Sequence, residues 1–484
     1  MAIQSLASDR VGKQCLWYYK RMNEIEAVST HQPSVTYHGA ARMVTGTMHL
    51  VHAAGKRILL DCGSISGGSR DQDPFDLPFP FDPAEIDAVV LTHCHQDHCG
   101  RLASLVMQGF DGPIYTTQPS RDILEVLLFD TARIREQELM MRGRKHHGGP
   151  RPKVRFGTAE AHHTLDLVEV TPLGKPVVID GDIELTLLEA GHILGSAMVH
   201  LAWQELGRTW RLTFTGDLGR SGFPFQHPHV ALPPADLLLC ESTYGGEAHD
   251  TAEMMAQNMA RAIRRAASEG GKILIPAFSL GRTHIILHYL RKWMNQGVIP
   301  NLPIHVDSPL GRKLHKVFLR YPGEFSEKYR DDLEVDWLEG RDDATDVSFR
   351  EGARIIVASG GMLEGGRILH HLRFHIDDPR ATLLLVSYQA PGTLGEQILE
   401  KGDSVRFNGR RWNKWIDVVQ VRGFSGHADH KDLLAAIEPL AGNVRQIRLV
   451  HGEPDRAEAL AKALVARGFN DVRLPEMHET TQLS

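Results

Sequence analysis

Three imidazoles and a carboxylate fall within six consecutive positions of the stretch LTHCHQDH, residues 91–98, directly after the apolar residues 88–90. Crowded imidazoles repel one another when protonated and forfeit hydrogen bonds when buried. A chain that keeps them must fold so that they share a partner. His93 and His95 stand two apart, which projects both side chains to one side of an extended segment. The following turn can bring Asp97 and His98 to a neighbouring point. One metal ion would be hard pressed to use all four, whereas two adjacent ions can share them. Neutral imidazole with carboxylate suits Zn²⁺, and a mixed nitrogen and oxygen set with open positions marks a catalytic site. Cys94 and Cys99 lack the spacing of a zinc knuckle and read as small packing residues.

Further residues of ligand type lie at the ends of apolar strands: His192 in LLEAGHILGS, Asp217 in LTFTGDLGR and His451 in IRLVHGEP. A lone histidine or aspartate at a strand end is ordinarily a cap, and these three gain meaning only in company with His93–His98. With 484 residues the chain is long enough for two or three domains. Its net charge of −6 excludes a surface that is basic all over, so a polyanionic partner would need a local groove or metal ions. Five cysteines, odd in number and without CxxC spacing, favour a reducing compartment. No apolar run of membrane-spanning length appears, and the chain reads as cytoplasmic.

From residue 33 short apolar strands alternate with turns, followed by helical periodicity over 121–141 and a basic, glycine-rich loop at 142–155. Beyond about residue 232 strands and helices alternate, which predicts a parallel sheet flanked by helices. Asp250 and Glu253 look like the capping pair of a helix over 251–268. Four strands of this part end in small polar loops, 277–282, 307–311, 359–367 and 387–395. In open α/β sheets ligands bind beyond the carboxyl ends of strands. Arg282, Ser308, Ser359, Gly360 and Arg367 in these loops are therefore candidates for holding phosphates. NGRRWNKW, 408–415, reads as a hairpin packed by its tryptophans, and His370 and His371 as polar support within a helix.

HCHQDH followed by a distant His, Asp and His resembles the metallo-β-lactamase superfamily. GAARMVTGTMHLV (39–51), LLDCG (59–63) and GHILGSA (191–197) strengthen the likeness. The resemblance implies an αββα sandwich with two zinc ions at one edge. His93, His95 and His192 would hold one, Asp97, His98 and His451 the other, and Asp217 would bridge them. Asp61 would stand behind, orienting a ligand or the bridging water. Such a pair lowers the pKa of bound water from about 15.7 towards about 7, which makes hydroxide available. The long insertion carries CEST with Glu241, IPAFSLGR, VDSPL, ASGGMLEGGR and GFSGHAD with His427, and these look like the β-CASP group of RNA-processing nucleases. The likeness covers roughly residues 35–470, and the chain is most similar to compact bacterial members.

That resemblance implies a zinc-dependent ribonuclease, endonucleolytic, 5′-to-3′ exonucleolytic or both, with His427 as general acid and Glu241 as its partner. Ser425, Gly426, His427 and Ala428 resemble a phosphate-holding turn. Members acting on RNA carry histidine where His451 stands, whereas DNA-acting relatives tend to carry valine. A DNA-directed nuclease and a non-catalytic RNA-binding scaffold are the alternatives. The expected fold is α/β: an N-terminal extension (1–32), a metallo-β-lactamase domain (33–230), a β-CASP domain (231–417) and a C-terminal completion of the first domain (418–484). The expected partner is RNA, single-stranded and threaded between the domains, with no membrane; a second copy of the chain is a further candidate partner.

Overall fold

The computed structural model describes residues 32–65, 77–145, 156–324, 335–389, 392–400 and 402–484. The N-terminal extension, apart from residue 32, and most of the basic loop at 142–155 lie outside the described residues. The chain divides into two compact units. One is His249–Gly426, and the other joins the described residues up to Ala248 with His427–Ser484.

The second of these units is built on two seven-stranded sheets. In the first, Thr480–Gln482, Ser34–Tyr37, His49–Ala53, Lys56–Leu60, Ala88–Val90, Ile114–Thr116 and Val168–Val170 lie side by side in that order. In the other the order is Val472–Arg473, Val444–Val450, Ala235–Glu241, Arg208–Phe214, Ala197–Glu205, Ile183–Glu189 and Val177–Asp180. Strand alternation explains how they pack. Ile183, Leu185 and Leu187 point to one face and are fully buried, while Glu184 between them is exposed. They join Val35, Val51, Ile58, Leu60 and Val90 of the first sheet and Val199, Leu201, Leu212 and Phe214 of their own in one core. Each such side chain stabilises the fold by about 1.5–3 kcal/mol relative to exposure. The opposite face of the second sheet is covered by the helices His430–Ile437 and Pro454–Val465, through Leu433, Ile437, Leu460 and Leu464.

His249–Gly426 contains a six-stranded parallel sheet in the order Asp336–Trp337, Ile304–Asp307, Arg354–Ser359, Lys272–Ala277, Thr382–Leu385 and Asp417–Gln420. The runs KILIPA and TLLL are buried along their whole length, as strands covered on both faces should be. The helix Ala252–Ser268 buries Met255, Met259, Ile263 and Ala266 along one stripe. Its cap differs from the expected pair. Thr251 accepts from the Met254 N–H, and Glu253 lies inside the first turn. The domain edges also shift. Ala235–Glu241 pairs with Arg208–Phe214 and Val444–Val450 and so belongs to the sandwich, not to a domain starting at 231. Asp417–Gln420 pairs with Thr382–Leu385 and belongs to the insert, not to a completion starting at 418. The apolar runs alone could not reveal this, because sheet membership is fixed by partners distant in sequence.

His284, in the helix Arg282–Asn295, stacks on Phe318 with ring centroids 4.2 Å apart. Burial, then the neighbouring His315, pushes its pKa down to about 3. The unfolded chain takes up a proton near pH 6.5 that the folded chain refuses, so stability falls as pH drops below that value. The expected slope is about 1.4 kcal/mol per pH unit from this one residue. Denaturant midpoints at pH 7 and 5 should separate less in His284→Leu than in the parent, and equal separations would contradict this.

Candidate metal centre

The centre begins where the strand Ala88–Val90 runs into Thr92 and His93, and His95 then opens the short helix Gln96–Cys99. Asp61, fully buried, takes a left-handed backbone (φ 59°) just after the neighbouring strand Lys56–Leu60, which turns its carboxylate under this segment. One oxygen accepts from the Thr92 N–H at 2.7 Å. The other accepts from the Thr92 hydroxyl at 2.8 Å and from His98 Nδ1 at 2.7 Å. Having given its proton to Asp61, the Thr92 hydroxyl receives one from His93 Nδ1 at 3.1 Å. A single carboxylate thus engages His98 Nδ1 directly and His93 Nδ1 through Thr92, which turns Nε2 of each ring toward the centre. Thr243 does the same for His451. Its hydroxyl donates to the His451 carbonyl (2.9 Å) and lies 3.0 Å from Nδ1 as acceptor.

The ring nitrogens converge. His95 Nδ1 lies 3.1 Å from His93 Nε2 and 3.2 Å from His192 Nε2. Asp217 Oδ2 completes that set, 3.3 Å from His93 Nε2 and 3.5 Å from His192 Nε2. In the other set His451 Nε2 lies 3.2 Å from His98 Nε2 and 3.4 Å from Asp97 Oδ2. Asp217 Oδ1 faces this set, 3.3 Å from His98 Nε2. Tetrahedral ligands bonded at 2.0–2.1 Å stand about 3.4 Å from one another. The spacing therefore fits a metal ion in each set, with one oxygen of Asp217 turned to each. Asp217 Oδ1 is buried without a hydrogen-bond donor, as a ligand atom would be.

Charge follows the same division. Burial lowers His93, His95 and His192, His95 to about 3, so these imidazoles are neutral and ready to ligate. Asp97 and Asp217 stay below the usual carboxylate range, because nearby histidines, His451 foremost, outweigh the burial that would raise them. His98 runs the other way. Burial would lower it, but Asp217 and Asp61 hold it well above its ordinary value. A cation entering the second set would replace that proton.

Glu241 ends its strand fully buried, accepting from the Leu218 N–H at 2.6 Å and facing His427 Nδ1 at 3.0 Å. His427 Nε2 reaches to 3.8 Å from Asp217 Oδ2. Burial would lower the pKa of His427, but Glu241 and then Asp217 raise it to about 9. Among the described residues, three groups can each hold an ion: His93, His95, His192 and Asp217; Asp97, His98 and His451; and Asp217, Glu241, His427 and His451. Thr92 and Thr243 are the supports that the sequence does not single out. Thr92 could have been suspected from its place directly before His93, but Thr243 carries no such signal.

Other expected contacts are less free than their loops suggest. Ala428 is fully buried and its N–H is spent on the Leu218 carbonyl, so it keeps no donor for a phosphate, contrary to expectation. Ser425 and Gly426 are buried where the inserted unit ends. Arg367 donates to Asp307 at 2.7 Å and to the Gly340 carbonyl at 2.8 Å. His371 holds the second Asp307 oxygen at 2.9 Å, in keeping with polar support. Ser359 accepts from the Arg367 N–H, and Gly360 sits beside it at φ 115°. Ser308 caps the helix Pro309–Phe318 and contacts Ser279. Arg282 donates to the Val386 carbonyl. The segment 408–415 contributes to a hairpin of Ser404–Phe407 with Arg410–Asn413, in which Trp412 stacks on Phe407 while Trp415 stays exposed. Cys94 and Cys99 are free and buried.

No helix among the described residues is long and apolar enough to cross a membrane. Family models match in three stretches: a β-lactamase superfamily domain at 56–276, a Beta-Casp domain at 283–398, and a Zn-dependent metallo-hydrolase RNA specificity domain at 416–475. Ribonuclease TTHA0252 of Thermus thermophilus is 35% identical over 445 residues, 89% of this chain and 95% of that protein. Transcription termination factor FttA of Methanothermobacter thermautotrophicus is 29% identical over 93% of this chain and 71% of its own length. A crystal structure of a protein of unknown function from Enterococcus faecalis V583 shares the fold, with a TM-score of 0.50 at 14% identity over 93% of this chain and all of that one. With the paired ligand sets, the matched domains and these relatives in view, the chain belongs to the β-CASP group of the metallo-β-lactamase superfamily, metal-dependent hydrolases that process RNA.

Proposed function

We propose that this protein hydrolyses phosphodiester bonds of single-stranded RNA with two zinc ions, one in each ligand set. The observation that carries this reading is Asp217, whose two oxygens each face a different cluster of histidines. When bound, the ions supply Lewis acidity, activating water and neutralising charge that gathers on the phosphate.

The remaining work falls to the chain. His93, His95 and His192 with Asp217 would hold one ion, and Asp97, His98 and His451 with the same carboxylate would hold the other. Asp61 and Thr92 keep His93 and His98 in the ligating tautomer, and Thr243 keeps His451. Departure of an alkoxide from phosphorus needs a proton at the leaving oxygen. His427 Nε2 is the donor of that proton, held protonated through Nδ1 by Glu241. His451 favours RNA over DNA on the family pattern.

The test is digestion of matched single-stranded RNA and DNA labelled at either end, bearing a 5′ monophosphate or triphosphate, with and without a chelator. RNA should be cut, DNA spared, and cutting abolished by chelation and restored by zinc. Equal cutting of DNA, or cutting indifferent to chelation, would overturn the proposal. Asp61→Asn offers a finer check. Losing the acceptor that fixes His93 and His98 should weaken zinc affinity by about 10- to 100-fold. Competition with a coloured chelator measures this, and unchanged affinity would remove Asp61 from the account.

A further inference from the structure

The strands Arg354–Ser359, Lys272–Ala277 and Thr382–Leu385 run parallel side by side, so the loops that follow them share one edge of the inserted sheet. Two of these loops carry aromatic rings to the surface. Phe278 is 39% exposed and Tyr388 60%. One exposed aromatic is ordinary. Here, however, both rings stand on loops bound to one another.

Arg282 Nη1, four residues after Phe278, donates to the Val386 carbonyl at 2.8 Å and to the Ser387 hydroxyl at 3.4 Å. Gln389, next to Tyr388, donates to the Gly361 carbonyl at 3.0 Å and to the Ser387 carbonyl at 2.9 Å. Gly361 in turn is the seat of the Phe278 ring, since a Cβ there would lie 3.1 Å from it. Any larger residue at 361 would push the ring away. The two aromatics are thus joined through Gly361 and through the segment 386–389, and both loops are cross-braced. The braces are polar, and Gly361 and Ser387 within them are small. This is a poor surface for an apolar protein partner, but it suits flat ligands that need only a ring face and flanking polar groups.

We propose that Phe278 and Tyr388 form a stacking platform that grips unpaired bases of the RNA strand, an inference that rests on the RNA-hydrolase reading above. Every base offers a π-face, so such a platform tolerates any sequence. Bases within a duplex are already stacked on one another, so the platform selects single strands. The guanidinium of Arg282 is engaged by the Val386 and Ser387 segment, and its part is to order the platform. Pre-ordering the rings on braced loops reduces the entropy lost on binding.

The test uses the full chain in a His95→Ala background, which keeps RNA intact. Fluorescence anisotropy follows binding of a labelled oligoadenylate and of an equally long strand of abasic riboses. Phe278→Ala and Tyr388→Ala should each weaken oligoadenylate binding about tenfold and leave the abasic strand within about twofold. Phe278→Leu and Tyr388→Leu, which keep apolar bulk and guard against misfolding, should shift affinity in the same direction by less. Equal weakening of both strands, or of neither, would overturn the platform. So would a parent that binds both strands equally well, although the RNA assignment would survive. A parent that binds neither strand would sink both.

Discussion

Replacing Asp217 by alanine should abolish RNA cleavage, with a loss of at least about a thousandfold, while the protein remains folded. Asp217 is the only one of these ligands whose two side-chain oxygens face different sets, so its removal opens both at once. The magnitude follows from what a metal ion contributes, several kcal/mol of transition-state charge stabilisation. Each 1.4 kcal/mol of that is about tenfold in rate. His95→Ala removes one ligand from one set and should lose activity together with that set's metal. Metal content by mass spectrometry, thermal unfolding and initial rates separate the outcomes. A folded Asp217→Ala protein that still cleaves at the parent rate would dismantle the mechanism.

His427→Ala should slow RNA cleavage by about a hundred- to ten-thousand-fold, the usual contribution of a positioned general acid. The same variant should hydrolyse a p-nitrophenyl phosphodiester within about tenfold of the parent rate, because nitrophenolate departs without a proton. Glu241→Gln should follow the same pattern more mildly, since it leaves His427 in place but removes the charge that holds it protonated. The leaving-group contrast matters because His427 also lies near Asp217. If both substrates lost rate equally, His427 would be acting on the ions or on the fold instead of on the leaving oxygen.

The sequence exposes the candidate ligands more readily than their supports. The histidines of HCHQDH announce themselves because no other purpose crowds imidazoles so tightly, and His192, Asp217 and His451 each close an apolar strand. Thr92 and Thr243 stay hidden because a threonine in or beside a strand is unremarkable until its hydroxyl meets a ring. Strands such as Ile183–Glu189 are visible from alternation and those such as Thr382–Leu385 from continuous apolar runs. Which sheet a strand joins is another matter. Ala235–Glu241 and Asp417–Gln420 look alike in texture, yet one pairs with Val444–Val450 and the other with Thr382–Leu385. Thr251 displaces Asp250 as helix cap by a single position, a choice settled by backbone geometry that composition does not record.

Both sheets of the sandwich are finished by the last part of the chain. Thr480–Gln482 pairs with Ser34–Tyr37, and Val444–Val450 lies against Ala235–Glu241 and leads directly to His451. Ser34–Tyr37 and Ala235–Glu241 therefore wait for partners far along the chain before either sheet is whole. His451 reaches its neighbours in the site only when Val444–Val450 has docked beside Ala235–Glu241. The candidate site is thus completed by long-range strand pairing, the slowest kind of contact to form.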